Sequence, residues 1–416
     1  MGRFITKSLL AIYQQTLGRK VSYHLHRIRK KTAENSGVDP YDIDRYLRHF
    51  GRSGTILDQK LTTKDTLKPW IAKVPPSQVA GFVYTGGSTG QPFRLPYSKE
   101  RLHLKTASFL HFNSLAGYNP GDPFVLIAAK ESPTWRQWLR SEIRFVPKEL
   151  SEEKLYFLAK HMQNNSVSTL IGFSSVALRL ANFCESNRLE LFLRQVIFTS
   201  EPVPAETVER VASVFGCKVV DRYSNEEVGL IAQQHYSFRP YRTNGYNILV
   251  EILNEDNRPV LPGEQGKVVL TDIASDLVPM IRYDTGDLAV AGEYHNGQLY
   301  SLSEVSGRVS EQVYTCDGVP LSSLSLSPII HMNLSSDGYY FPYQFAQTFA
   351  NCYQLRIAGG EVIPEAILMK IKTELAQILG SGAEITIVFP EEIPALPSGK
   401  RPIFKNEWNK NLINQT

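Results

Sequence analysis

A segment rich in glycine and hydroxyl residues, Tyr84 to Pro92, is the part of the chain whose residue types point most directly to chemistry. It reads YTGGSTGQP and follows a run from Val79 to Tyr84 that is typical of a β-strand. Glycines let backbone N–H groups converge, and Thr and Ser hydroxyls are further donors, so such a loop can hold a phosphate group. The GxxxxGK[ST] spacing of a P-loop is absent from this segment. A polar surface turn has the same composition, and the segment alone leaves both interpretations open.

Four segments further along the chain favour the phosphate interpretation. They are Asp221–Gly229 (DRYSNEEVG), Arg282–Leu288 (RYDTGDL), Ser306–Val309 (SGRV) and Leu396–Lys400 (LPSGK). In this order and at these separations, the set resembles the adenylate-forming superfamily of acyl-CoA synthetases, luciferases and non-ribosomal peptide adenylation domains. The turn Ser200-Glu201-Pro202 and the run PMIRYD at 279–284 are most similar to the phenylacetate-CoA ligase and CapK-like branch.

The resemblance implies an α/β fold in which a large N-terminal domain of several subdomains with mixed sheets precedes a small mobile α+β domain. We expect a basic helical segment at 1–50, an AMP-binding domain at 51–308 and the small domain at 309–416. Short alternating strands with turn residues between them predict a β-rich subdomain at about 245–302.

The resemblance also implies a reaction. A carboxylate attacks the α-phosphate of ATP to give an acyl-adenylate and pyrophosphate, and the acyl group then passes to a thiol, with CoA as the expected acceptor. An aromatic or other bulky acid is the expected substrate, because several aromatic residues lie on segments expected to face the crevice: Trp135, Trp138, Phe173, Phe198 and Tyr223.

Individual roles follow from the same resemblance. Glu227 would hold Mg²⁺, since a hard cation prefers carboxylate oxygen. Asp287 would accept hydrogen bonds from the ribose hydroxyls, and Tyr223 would stack on adenine. Lys400 would stabilise charge in the transition state of adenylation, and Arg308 would contact ribose at the hinge of the small domain. The other expected nucleotide-binding residues are Thr85, Gly86, Gly87, Ser88, Thr89, Gly90, Ser200, Glu201, Pro202, Asp221 and Ser224.

Some positions depart from the family pattern. Gln91 stands where lysine is usual, Glu226 precedes the magnesium glutamate in place of Thr or Ser, and Ser310 occupies the usual position of the hinge aspartate. Gly86, Ala395 and Leu396 also differ from the usual residues. Because Glu227, Asp287, Arg308 and Lys400 are all present, we favour an active enzyme over a non-catalytic nucleotide-binding regulatory protein. An adenylating enzyme that passes the acyl group to an amine or hydroxyl acceptor in surface-polysaccharide biosynthesis is the other alternative.

Composition agrees with a soluble enzyme of more than one domain, at 416 residues with 42% hydrophobic and 21% charged. The four cysteines are widely spaced and indicate reduced thiols, and we expect a cytoplasmic protein. A net charge of +4 does not indicate nucleic-acid binding. Eight basic residues precede the first acidic residue, Glu34, which leaves two interpretations open: peripheral contact with an anionic membrane, or a solvated helix. A homodimer also stays open.

Periodicity predicts the elements that position these residues. Helices are predicted at 98–117, 151–163, 174–187, Pro204–Phe215 and Pro364–Leu379, the last being amphipathic with Ile367, Leu368, Ile371, Leu375 and Ile378 on one side. Strands are predicted at 123–129, 168–171, 194–198 and 217–221. Tyr223 and Glu227 would then lie just past the carboxyl end of a strand, where open α/β sheets usually bind ligands.

Overall fold

The structure of the chain is a computed structural model. The structure describes residues 18–34, 36–85, 93–128, 131–147, 151–201, 203–235, 240–308, 312–321, 326, 329–330, 333–334, 341–393 and 401–408. Several residues predicted from the sequence to matter lie outside this description: Gly86, Gly87, Ser88, Thr89, Gly90, Gln91, Pro202, Ser310, Ala395, Leu396 and Lys400.

The chain divides into two compact units, and both are assembled from separate stretches of sequence. The first unit contains the described residues up to Asp122, together with Leu139–Ser141 and Val220–Val305. The second contains Pro123–Trp138, Glu142–Val219 and the described residues from Ser306 onward. The α/β fold class predicted from the sequence is confirmed. The predicted domain limits at 50 and 308 stay predictions.

The first unit is built mainly on antiparallel strands. Its larger sheet has the strand order β10-β11-β12-β15-β9-β8-β7, and β1 pairs with β2 in a separate hairpin. The elements are α1 (Gly18–Ala33), α2 (Pro40–His49), α3 (Lys64–Ile71), β1 (Gly81–Thr85), β2 (Phe93–Tyr97), α4 (Lys99–Ala116), β7 (Lys218–Asn225), β8 (Gly229–Gln234), β9 (Tyr241–Thr243), β10 (Ile248–Leu253), β11 (Gln265–Asp272), β12 (Tyr283–Ala291), β13 (Tyr294–His295), β14 (Gln298–Leu299) and β15 (Ser301–Arg308). Strands β7 and β15 begin or end in the second unit.

The second unit contains a parallel sheet with the order β6-β5-β3-β4 and a mixed four-stranded sheet with the order β20-β19-β18-β21. The elements of the first sheet and its helices are β3 (Phe124–Ile127), α5 (Thr134–Arg140), β4 (Glu142–Phe145), α6 (Glu152–Asn164), β5 (Thr169–Gly172), α7 (Ser174–Ser186), β6 (Gln195–Thr199) and α8 (Ala205–Phe215). The remaining elements are β16 (Val313–Tyr314), β17 (Pro320–Leu321), β18 (Tyr343–Phe349), β19 (Cys352–Ile357), α9 (Glu365–Leu379), β20 (Glu384–Val388) and β21 (Phe404–Asn406).

Local sequence explains why the predicted helices form. In α8, Val208, Val211 and Phe215 recur at helical spacing and are buried, and Gly216 ends the helix with a φ of 59°. Left-handed backbone at this position favours glycine. Helix α9 is confirmed as well, but its buried face differs from the prediction, because Ile378 is exposed and Leu379 is buried.

Strand β7 is longer than predicted and changes the position of Tyr223. The prediction ended this strand at residue 221, whereas the structure continues it to Asn225 through antiparallel pairing with β8. Tyr223 therefore lies inside the strand, and Glu227 follows in the turn before β8. The predicted strand ended too early because residues 221–225 are mostly polar, and their pairing with β8 depends on a neighbouring strand that local sequence does not reveal.

The basic N-terminal stretch forms the helices α1 and α2 within the described residues. Some of its charges are paired, since Lys20 contacts Glu100 at 2.6 Å and Lys30 contacts Glu34 at 3.7 Å. Contact with a membrane stays a prediction. Among the described residues, no helix combines the length and apolar character needed to cross a bilayer. The four cysteines are free.

Candidate nucleotide site

Two contacts join β12 to the Asp221–Gly229 segment in the first unit. The hydroxyl of Tyr223 donates to Asp287 Oδ2 at 2.6 Å, and the hydroxyl of Tyr283 donates to Glu227 Oε1 at 3.2 Å. Tyr283 and Asp287 both belong to β12, and the register of β12 with β11 shifts between Asp284 and Leu288. All four side chains are buried. The structure therefore joins the two sequence motifs that contain Tyr223, Glu227 and Asp287, although Tyr223 and Asp287 are 64 residues apart.

Glu227 is held by side chains that sequence reasoning missed. Its Oε1 lies 3.3 Å from Lys64 Nζ, at the start of α3. Its main-chain carbonyl accepts a hydrogen bond from Arg101 of α4 at 2.8 Å. Lys64 is the first residue of α3 and Arg101 lies in the first turn of α4, and neither position carried a local signal of a role at Glu227. Tyr283 lies in the Arg282–Leu288 motif, but the sequence indicated no role for it.

Arg101 is the centre of a buried polar cluster beneath this turn. It is 2% exposed, and its guanidinium also donates to Asp272 Oδ2 at 2.7 Å and to Ser275 Oγ at 3.0 Å. The start of α4 is fixed by Ser98, whose hydroxyl accepts from the Arg101 N–H. A planar guanidinium can satisfy three such acceptors at once. The cluster therefore fixes the main chain from which Glu227 projects.

Lys105 contacts the same turn one helical turn further along α4. Its Nζ donates to the carbonyl of Glu226 at 3.2 Å. Burial beneath the turn lowers the pKa of Lys105 to about 8, and the nearby Arg101 cation acts in the same direction. Glu226 itself is exposed whereas Glu227 is buried. The two adjacent glutamates thus have different surroundings, and only the carboxylate of the second is buried, in contact with Tyr283 and Lys64.

Asp221 lies deeper in the first unit than its predicted role required. Its carboxylate accepts hydrogen bonds from the Tyr241 hydroxyl and from the N–H of Arg222. Burial raises the pKa of Asp221 to about 6, although both of these hydrogen bonds oppose the shift. Ser224 is half-buried and pairs with Leu230 in the ladder between β7 and β8.

The other predicted residues that the structure describes are distributed as follows. Thr85 is the last residue of β1 and pairs with Phe93, so the glycine-rich loop connects two antiparallel strands. Ser200 and Glu201 follow β6, and Arg308 is the exposed last residue of β15, all in the second unit.

The aromatic residues expected to line a substrate pocket separate into two groups. Phe173 and Phe198 are enclosed in the hydrophobic core of the second unit, so the expectation that they face a crevice is wrong. Strand and helix-start positions in a parallel sheet are usually buried on both faces, which explains this result. Trp135 and Trp138 of α5 are 60% and 64% exposed.

Comparison with known proteins decides the family of this fold. The sequence profile described as AMP-binding enzyme matches residues 18–273, which is more than half of the chain. The chain belongs to the AMP-binding enzyme family. A comparison with curated protein sequences finds no significant match.

Several solved structures share the fold at low sequence identity. One is a 2-hydroxyisobutyryl-CoA ligase in complex with 2-HIB-AMP, with a TM-score of 0.68, 19% identity, and coverage of 98% of this chain and 91% of the other. A second is the anthranilate CoA ligase AuaEII in complex with anthranoyl-AMP, at TM-score 0.56, 15% identity and coverage of 81% and 67%. A third is ATP-bound MatB from Rhodopseudomonas palustris, at TM-score 0.51, 17% identity and coverage of 81% and 68%. The adenylate-forming enzyme fold expected from the sequence is confirmed.

Proposed function

We propose that this chain is an ATP-dependent ligase that activates a carboxylic acid as its acyl-adenylate and transfers the acyl group to a thiol, with CoA as the thiol. The observation that carries the proposal is the pair of contacts from β12 to Tyr223 and Glu227 in a chain of the AMP-binding family. These two buried contacts share strand β12, and they fix the Tyr223 ring and the carboxylates of Glu227 and Asp287.

The reaction has two steps. A carboxylate oxygen of the acid bonds to the α-phosphorus of ATP, and the bond to the bridging oxygen of pyrophosphate breaks. The CoA thiolate then bonds to the acyl carbon, and AMP leaves. In the first step two anions must approach each other, so we assign charge neutralisation to Lys400 and phosphate binding to Thr85 and the loop that follows it.

The position of Asp287 suits recognition of ribose. Its Oδ2 accepts from Tyr223, which orients the carboxylate on β12. A carboxylate is an acceptor with two oxygens, and this is what vicinal hydroxyls require. We assign Tyr223 to the adenine ring and Arg308 to the ribose on the resemblance described above.

The residues around Glu227 could supply only part of the coordination of a Mg²⁺ ion. Among the described residues, no group of three or more His, Cys, Asp or Glu side chains could enclose a metal ion. Mg²⁺ in nucleotide sites is often bound through one or two carboxylates together with phosphates and water, and Glu227 can supply one such oxygen. A bound Mg²⁺ would neutralise phosphate charge. Glu227 already contacts Lys64, so this ion pair would have to open.

The acid and the subfamily belong to the same proposal. We place the chain in the phenylacetate-CoA ligase and CapK-like branch, and we propose an aromatic or other bulky acid. The exposed rings of Trp135 and Trp138 support this choice, whereas Phe173 and Phe198 do not. The similar solved structures are complexes with 2-HIB-AMP and with anthranoyl-AMP, so a substrate panel should contain both hydroxy acids and aromatic acids.

The decisive experiment measures Mg²⁺-dependent pyrophosphate release from ATP across aryl, fatty, hydroxy and amino acids, with and without CoA. We expect release that requires one class of acid, with thioester formed when CoA is present. Lys400→Ala should lower the rate by on the order of 10²- to 10³-fold, the usual effect of losing one preorganised charge contact. Wild-type protein that binds ATP but releases no pyrophosphate with any acid would refute the ligase and favour a regulatory nucleotide-binding protein.

Adjacent glutamates provide a matched control. Glu227→Gln removes a buried carboxylate, while Glu226→Gln changes an exposed one. We expect Glu227→Gln to lose at least about 100-fold in pyrophosphate release, and Glu226→Gln to remain within a few-fold of wild type. Equal losses in both variants would contradict the role given to Glu227.

The same assay tests the acyl acceptor. Formation of adenylate without formation of thioester when CoA is added would indicate an amine or hydroxyl acceptor.

A further inference from the structure

Glu201 joins two parts of the second unit that are 200 residues apart in sequence. Its Oε2 accepts from Ser174 Oγ at 3.2 Å and from the Ser175 N–H at 3.0 Å. Its Oε1 accepts from Ser175 Oγ at 3.1 Å and from the Arg401 N–H at 3.1 Å. Each oxygen thus accepts two hydrogen bonds, which is the number its lone pairs allow. The Glu201 carboxylate is saturated by protein donors, and its predicted contact with nucleotide would have to come from the main chain.

The backbone conformation of Ser200 shows that surrounding contacts enforce the position of Glu201. Ser200, immediately before Glu201, has a φ of 74°, in the left-handed region that residues other than glycine rarely adopt. Such a conformation is unfavourable for a residue other than glycine and persists where surrounding contacts enforce it. Glu201 is itself only 9% exposed. The turn after β6 is therefore held so that this carboxylate points into the unit.

Arg401 is fixed on its other side as well. Its side chain is buried, and its Nε donates to the carbonyl of Ile393 at 3.2 Å. Ile393 and Arg401 are the described residues that flank 394–400, the segment that ends in Lys400. The N–H that Glu201 binds belongs to the peptide bond between Lys400 and Arg401. Contact with Glu201 consequently fixes the main-chain N–H of Arg401, which follows in sequence the residue to which the proposed function assigns charge stabilisation.

We propose that Glu201 is a positioning residue that anchors the main chain at Arg401, the residue after Lys400, for the adenylation step. The inference rests on the proposed function, because it acts through Lys400. Ser174 and Ser175, at the start of α7, orient the carboxylate, and the carboxylate orients the peptide. Loss of the anchor should slow the step that uses Lys400 and leave acyl transfer from a supplied adenylate unchanged.

The kinetic test compares Glu201→Ala with Glu209→Ala, a change at an exposed glutamate on α8. We expect Glu201→Ala to lower kcat for pyrophosphate release by about 10-fold or more, the scale of losing a hydrogen bond to a charged group. KM for ATP and the rate of thioester formation from preformed acyl-adenylate and CoA should stay within about two-fold of wild type. Glu209→Ala should match wild type in both steps. Equal slowing of both steps by Glu201→Ala would overturn the proposal in favour of a purely structural role.

A second pair of variants covers the case in which Glu201→Ala does not fold. Arg401→Ala keeps the main-chain N–H, and Arg401→Pro removes it. We expect Arg401→Pro to slow adenylation about 10-fold more than Arg401→Ala does, on the same hydrogen-bond scale. Equal rates for the two variants would count against the anchor.

Limited trypsin digestion tests the Glu201 anchor independently of the proposed function, because this assay requires no catalytic turnover. Trypsin cleavage after Lys400 breaks the peptide bond whose nitrogen Glu201 binds. Fragments that begin at Arg401 should form several-fold faster from Glu201→Ala than from wild type or Glu209→Ala. If wild type releases no pyrophosphate with any acid, the ligase proposal fails while this readout still decides the anchor. Unchanged cleavage in Glu201→Ala would refute the anchor even in an active ligase.

Discussion

At the scale of single residues, burial gives Asp221 a pH dependence that can be measured. Its pKa in the folded protein is about 6 because it is buried, against about 3.9 for an unperturbed aspartate. Between these values the folded state binds a proton that the unfolded state has released. The contribution of Asp221 to the free energy of unfolding therefore falls as pH rises from about 4 to 6 and is constant above that window.

We expect Asp221→Asn to remove this dependence. The free energy of unfolding of the variant minus that of wild type should rise between pH 4 and pH 6 by on the order of 2 kcal/mol. Urea denaturation at pH 4, 5, 6 and 7 would measure it, with the exposed Asp256→Asn as control. A difference that stays flat across this range would show that Asp221 is not titrating in the folded protein there.

At the scale of elements, helix α4 positions the turn that carries Glu227 through one buried cation. Arg101 contacts Asp272, which is 1% exposed, so removal of the guanidinium would leave a carboxylate buried without its ion-pair partner. Breaking such a pair typically costs about 3–5 kcal/mol. An exposed ion pair contributes about 0–1 kcal/mol, because water screens it and both side chains lose freedom.

We expect Arg101→Met to lower the free energy of unfolding by about 3–5 kcal/mol and to weaken ATP-dependent activity, since Glu227 loses the support of its carbonyl. Arg48→Met, at the exposed pair with Asp44, should cost no more than about 1 kcal/mol. Chemical denaturation of both variants at neutral pH would measure the contrast. Similar losses in the two would show that burial of the Arg101 pair does not control its strength.

At the scale of the whole molecule, the hydrophobic cores differ in how far apart in sequence their residues lie. One core of the second unit is formed entirely by residues between Val313 and Phe404, while the main core of the first unit combines residues from Leu67 to Leu302. A stretch of about 100 residues with its own core can fold alone. The first unit cannot be cut from the chain as one continuous segment.

We therefore expect a fragment of residues 309–416 to fold independently. Circular dichroism should show helix and strand together, and thermal unfolding should be cooperative. A matched fragment of residues 1–122 should not fold, because it lacks the strands that complete its core. An unstructured 309–416 fragment would contradict the predicted domain boundary.

The sequence alone indicated the class of chemistry and much of the local structure. Helices such as Ala205–Phe215 were predictable because their apolar residues recur at the helical period and their ends carry Pro204 and Gly216. The ordered motifs located Glu227, Asp287 and Arg308 because each motif is a short, local pattern. Subfamily, acid, acceptor and the roles of individual residues stay predictions.

The tertiary structure decided which side chains meet. Lys64 and Arg101 contact Glu227 from more than 100 residues away, and Arg401 reaches Glu201 from still further along the chain. Phe173 and Phe198 entered the core instead of a crevice, although their sequence surroundings suited either position. Periodicity and motif spacing report only local geometry. Contacts between distant segments depend on how sheets and helices pack, and that packing is settled by the whole chain.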